Sequence, residues 1–226
     1  MRTWMTALAL LGLLLSLTGI ARAEDPTDPT TVIDSAVVEL AGALEGRKLE
    51  LKENREELYR VIDRILLPRF DRRYAAQLVL GRYWRSASEE QQQRFIKAFY
   101  QALLERYADG VLEFDQERVT VLPYRGDPEE RRTTVRTRVE LDDGTEVPVN
   151  YGLVRREDGW KVYDVTVEGI SYVRNFRTEL NAEIGEKGVE AVIRRLEREA
   201  GLREADDEGG DTGTGSAADA GGSADT

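Results

Sequence analysis

Two side chains late in the chain have the type and setting for covalent or acid–base chemistry. Ser171 closes "EGIS" (168–171), a glycine followed two residues later by a serine at the end of an apolar run. A nucleophilic serine on a strand-to-helix elbow takes the form G-x-S-x-G, because the second glycine lets the strained turn close. Position 173 is a valine instead, and the chain has no histidine to accept the serine proton. Ser171 therefore reads as the N-cap of the helix that follows, its hydroxyl oxygen accepting a backbone N–H. Asp164 is the second candidate, a carboxylate among Val162, Tyr163 and Val165. On a cone-shaped α+β scaffold it would serve as a base beside a carbonyl, with Tyr151 or Tyr163 as electrophilic partner. The structural alternative has Asp164 accepting hydrogen bonds where strand meets turn.

The missing residue types narrow the field further. Without cysteine there is no disulfide, thiol nucleophile or thiolate metal site, and without histidine there is no Ser-His-Asp triad or imidazole ligand. No cofactor or metal is expected, and the chain is not expected to be an enzyme. "RGD" (125–127) lies in a proline-flanked loop and reads as chance. "GTGSAADAGG" near the end has neither a preceding strand nor a following helix, so it cannot cradle a phosphate. With a net charge of −11, the chain lacks the basic stripe that nucleic acid or an anionic membrane surface requires.

The elements that would position any site fall into two blocks. Residues 1–23 have a positive start at Arg2, an apolar run and a final "ARA", the plan of a cleaved secretory signal peptide. Residues 204–226 hold seven acids, no base and no large apolar side chain, which predicts a disordered acidic tail. Between them, 24–203 suits one domain.

Its first half is helical. A helix is expected over 31–44, a second carrying Leu51 to Ile65 before Pro68, and a third over "FDRRYAAQLVLG" closed by Gly81. The clearest starts at the capping box Ser88/Gln91 and carries Phe95, Phe99, Leu103 and Tyr107 at four-residue spacing before Gly110. Then the period changes to two. About four antiparallel strands are expected from Val119 to Val167, with turns at "DDG" (142–144) and "EDG" (157–159). Two more helices follow, over 171–184 and 188–199. The order predicts an α+β fold, a curved antiparallel sheet with flanking helices, whose facing apolar surfaces would either fill a core or enclose an apolar cavity; periodicity alone does not separate the two.

Three blocks carry a family resemblance: "LLP" at Leu66, "LVLGRYWR" with the following Ser88, Gln91, Phe95 and Phe99, and "GWKVYDVTVEGIS" from Gly159. Together, in this order and spacing, they resemble the MlaC family, periplasmic phospholipid-binding proteins of the Mla lipid-trafficking pathway, also called toluene-tolerance auxiliary proteins. The resemblance implies a monomeric periplasmic shuttle that carries a phospholipid as cargo. It would move between an outer-membrane lipoprotein–porin complex and an inner-membrane ABC transporter complex bearing a ring of MCE-domain subunits, and so maintain outer-membrane lipid asymmetry. The acyl chains would lie inside the domain and the headgroup near solvent.

Holding two acyl chains calls for a dry cavity near or above the upper end of the roughly 300–1,000 Å³ usual for pockets. An acidic chain is expected to lack a basic headgroup clamp. Face and period nominate the lining residues. From the helical side they are Leu80, Tyr83, Trp84, Phe95, Phe99, Leu103 and Tyr107. From the sheet they are Val135, Val139, Val149, Tyr151 and Val162. The helix after "EGIS" adds Val173 and Phe176.

Overall fold

The helical block opens with three helices in a computed structural model that describes residues 28–127 and 129–202. The expected signal peptide (1–23) and acidic tail (204–226) lie outside the described residues. Helix α1 spans Thr30–Leu44, α2 Lys48–Glu53 and α3 Arg55–Leu66. The sequence pattern predicts a single helix where α2 and α3 stand. Asn54 separates them, because its side chain accepts the Glu57 amide at 3.1 Å and so starts a new helix. Helix α4 (Arg72–Leu80) is capped by Asp71 and ends at Gly81 with φ +55°. The Arg177 guanidinium lies 3.0 Å from where a β-carbon at Gly81 would stand, so the position needs glycine for space as well as for φ.

Helix α5 (Glu89–Leu112) starts at the capping box, with Ser88 and Gln91 exchanging two hydrogen bonds of 3.1 Å. It runs through Gly110, its expected end. An internal glycine costs only about 1 kcal/mol, and the buried Leu112 holds the last turn in the core.

The sheet is an antiparallel meander in sequence order: β1 Val119–Val121, β2 Arg132–Glu140, β3 Glu146–Arg156, β4 Gly159–Val167 and β5 Ile170–Ser171. It is open, and it has one strand more than the pattern predicts. Strand β5 is only two residues long, below the reach of any periodicity. Glu168 (φ +51°) and Gly169 (φ +83°) form the two-residue loop that turns β4 back into it. Helices α6 (Tyr172–Lys187) and α7 (Val189–Glu199) complete the α+β fold.

Three apolar clusters form the interior. One joins α4, α5, α6 and α7 around Val79, Phe95, Leu180 and Ile193. A second joins α1, α2, α3 and α5 around Leu44, Leu58, Val61 and Leu104. The third sets Ile33 of α1 against Val135, Leu153, Trp160 and Val162 of the sheet. Helix α5 belongs to the first two, so it is the strut between them.

Charge holds α7 in place. Arg94 of α5 pairs with Glu190 at 2.9 Å and Glu197 at 2.8 Å, and Arg195 ties α7 to Glu183 of α6 at 2.8 Å. A hydrogen bond from Gln91, then the Arg94 and Arg194 guanidiniums, hold the Glu190 carboxyl down at about 2 against partial burial. A carboxyl depressed in the folded state stabilises fully above its ordinary value near 4.5, and that contribution is lost as pH falls toward 2. Glu190→Gln is expected to make the loss of stability between pH 5 and 2 shallower, as read from urea midpoints across that range. Superimposable pH profiles for the two proteins would remove Glu190 from the acid response.

Candidate functional site

An apolar cavity of about 420 Å³ lies where the three clusters fail to meet. Its floor is the end of β4, with Tyr163, Val165 and Val167. One wall is α5, through Ile96, Phe99, Tyr100, Leu103 and Tyr107. The opposite wall is the first turns of α6, through Tyr172, Val173 and Phe176. Ile62, Leu66 and Phe70 close the end nearest α3.

The floor depends on one irregularity. The β3–β4 register pairs Leu153 with Val162 but Gly152 with Asp164, leaving Tyr163 as the extra residue of a bulge. Strict alternation from Val162 would turn Asp164 toward the helices and Val165 away. The bulge reverses that parity, so Val165 pairs with Tyr151 and Val167 with Val149, and both valines line the cavity. Tyr163 lies over Gly152, its ring 3.1 Å from the position of an added β-carbon, and meets Tyr74 edge-on at 5.1 Å.

The helical layer is fastened to β4 and to the end of β3 beside this floor. The Asp71 amide donates to the Val162 carbonyl at 2.8 Å, the Lys161 ammonium donates to the Pro68 carbonyl at 2.8 Å, and Arg156 pairs with the Asp71 carboxylate at 2.5 Å. At the other end, Asp164 accepts from the Ser171 hydroxyl at 2.6 Å and from the Val173 amide at 3.0 Å. Ser171 in turn accepts the Arg174 amide at 3.1 Å as the N-cap of α6. Both oxygens of Asp164 are thus engaged in starting α6. Within the cavity wall, the Tyr100 hydroxyl donates to Asp63 at 2.5 Å. Burial first, and then the neighbouring carboxylate, push that phenol well above its ordinary range.

Of the residues nominated from sequence, Phe99, Leu103, Tyr107, Val173 and Phe176 line the cavity. The others stand elsewhere. Leu80, Trp84 and Phe95 are buried among α4, α5, α6 and α7, with Tyr83 packed against them, because α7 fills that side of α5. Val135 and Val162 are covered by Ile33 of α1, and Tyr151 packs on the same cluster. Val139 and Val149 are half-buried strand residues outside the lining; Val139 faces Val119 of β1 and Val147 of β3. Helix α1 takes over much of the sheet face that the sequence reading gave to the cavity, which explains a volume in the lower half of the usual pocket range. The missed floor residues, Val165 and Val167, had one sequence signal. A lone glycine within a strand pattern, here Gly152, marks a bulge.

A family model described as "MlaC protein" matches residues 34–198. Over 152 residues the chain is 32% identical to the toluene tolerance protein ttg2D of Pseudomonas putida, covering 67% of this chain and 70% of that one. It is 22% identical over 203 residues to the intermembrane phospholipid transport system binding protein MlaC of Haemophilus influenzae, covering 88% and 94%. Among solved structures, the phospholipid-binding protein of Ralstonia solanacearum, in complex with a phospholipid, superimposes with a TM-score of 0.69. It is 24% identical and covers 77% of this chain and 97% of its own.

The bulge gives a direct test of the floor. A side chain at Gly152 has to displace the Tyr163 ring, which lies 3.1 Å from the added atom, with the β-carbon of Asp164 in contact at 3.4 Å. Gly152→Val is expected to cost about 1–3 kcal/mol in a denaturant titration, whereas Gly42→Ala, in open space on α1, stabilises by about 0.5–1 kcal/mol. A Gly152→Val protein as stable as the native chain would show that Tyr163 does not depend on the gap.

Proposed function

The chain belongs to the MlaC family, and we propose that it is a glycerophospholipid carrier that holds acyl chains in the cavity between β4, α5 and α6. The observation that carries this reading is the cavity wall, which apart from Arg72 at its edge is built of aliphatic and aromatic side chains. Each methylene moved from water into such a wall contributes about 0.8 kcal/mol, so two long chains offer on the order of 20 kcal/mol of gross transfer energy. That energy needs no ionic contact with the tails. A diacyl lipid is larger than the drug-sized ligands that suit about 420 Å³, so its uptake widens the gap between β4 and α6.

A carrier of this kind works in the periplasm, reached by removal of residues 1–23. It exchanges lipid with an outer-membrane lipoprotein–porin complex and an inner-membrane ABC transporter complex bearing an MCE-domain ring, and so maintains outer-membrane lipid asymmetry. It acts as a monomer, with the lipid as cargo rather than cofactor and with no catalytic residue. The names of the Haemophilus and Ralstonia relatives support phospholipid as the ligand class.

Purified without detergent, the protein is expected to retain diacyl phospholipid in near-stoichiometric amount by mass spectrometry. Val167→Trp, which places an indole on the cavity floor, is expected to reduce that content at least fivefold while the circular dichroism spectrum stays native. An empty native protein that also takes no lipid from vesicles would end the carrier reading. Unchanged lipid in Val167→Trp would move the chains out of this cavity.

A further inference from the structure

Beside the cavity runs an open groove of about 1,020 Å³ whose composition is opposite to that of the chain as a whole. Arg72, Arg73, Arg131, Arg155, Arg156 and Lys161 line it, against Asp71, Glu157 and Asp158. Two of those three acids are engaged within the groove itself, Asp71 by Arg156 and Asp158 by Lys161 at 2.9 Å. A chain of net charge −11 therefore presents a locally cationic hollow, and it adjoins the apolar cavity. Phe70, Arg72 and Ile96 line both spaces, so the groove and the cavity share a wall.

The arginines at the junction are held in an unusual way. Arg72 stands over the ring of Tyr100, 5.3 Å from its centre, and Arg73 stands over Trp84 at 5.2 Å. Tyr100 is itself fixed by its hydroxyl bond to Asp63. Among the described residues no carboxylate lies within ion-pair distance of Arg72, Arg73 or Arg131. Stacking on an aromatic face positions a guanidinium while leaving its N–H edge available. That edge is a planar fork of donors that matches a phosphate bidentately.

We propose that this groove is a phosphate-binding site in which Arg72, Arg73 and Arg131 hold the phosphodiester of the lipid whose chains fill the cavity. The proposal rests on the carrier reading and adds to it the group that is recognised. Phosphate is common to all glycerophospholipids, so a site of this kind accepts different headgroups while rejecting a neutral diacylglycerol. It replaces the expectation, drawn from net charge, that the chain lacks a basic headgroup clamp.

The experiment uses the full chain stripped of lipid, in its native form and as the triple variant Arg72→Gln, Arg73→Gln, Arg131→Gln. Retention of phosphatidylethanolamine and of diacylglycerol with the same acyl chains is measured after incubation with vesicles containing both, alongside calorimetric titration with inorganic phosphate. The native protein is expected to favour the phospholipid at least tenfold. The variant is expected to lose that preference while holding diacylglycerol as before. Equal retention of both lipids by the native protein, or an unchanged preference in the variant, overturns the headgroup clamp. Phosphate binding that the variant loses, with lipid preference unchanged, keeps the anion site but assigns it to a free phosphate. A native protein that takes up neither lipid fails the carrier reading, and the inorganic phosphate arm then tests the groove by itself.

Discussion

The parity of β4 is the constraint on which the cavity depends. One extra residue opposite Gly152 divides the strand into two segments that face different neighbours. Upstream of the bulge, Trp160 and Val162 pack under α1 with Leu153 and Val135 as ordinary core. Downstream, Val165 and Val167 point at the gap between α5 and α6. A regular strand would have offered Asp164 to that gap and turned the valines away. The bulge therefore supplies the apolar floor, and it also leaves Asp164 free to receive the Ser171 hydroxyl and the Val173 amide at the start of α6. Floor and second wall are set by the same insertion.

An apolar hollow of this size is costly. At about 24 cal/mol per Å³ of cavity, about 420 Å³ amounts to an upper bound of roughly 10 kcal/mol, comparable with the whole stability of a typical domain at about 5–15 kcal/mol. The mouth admits solvent, which lowers the cost without removing it. The fold sustains the hollow because its walls are fixed from outside. Helix α5 is packed into two separate clusters, α7 clamps it through Arg94, and backbone and ion-pair ties at Asp71, Lys161 and Arg156 hold the helical layer to β4 and to the end of β3. None of these contacts crosses the cavity, so apolar material can enter without breaking them. The exposed Tyr107 and Tyr172, with rings 5.8 Å apart edge-on, stand at the rim where the floor ends.

Much of this architecture was legible in the residues. The four-residue stripe on α5, the Ser88/Gln91 box, the turn glycines and the period-two run from Val135 to Val167 each specify an element locally, and each element formed. The same rules nominated Phe99, Leu103 and Tyr107, which stand on the α5 wall of the cavity, and sheet valines that stand outside its floor. Periodicity is a property of one strand, whereas a bulge is a relation between two. Likewise no local pattern says which helix covers which part of a sheet. Val135 and Val162 became core because α1, far away in sequence, lies on them. Leu80, Trp84 and Phe95 became core because α7 closes over α5. Asn54 was the opposite case, a local cap signal hidden inside an apolar rhythm that continued across it.

Charge followed the same division between sum and place. Net charge governs long-range attraction and solubility, but the field at a given hollow is set by the few groups around it. Several acids of the folded part are spent in pairs: Glu190 and Glu197 on Arg94, Glu183 on Arg195, Asp71 on Arg156. Arg72 and Arg73 are held instead by aromatic faces that neutralise nothing. These ring contacts thus keep positive charge where the apolar cavity adjoins the open groove. An amphiphile with an anionic head has its own polarity change at such a boundary, and here the change falls at a single side chain, Arg72, which lines both spaces and whose guanidinium stands over a cavity-lining ring.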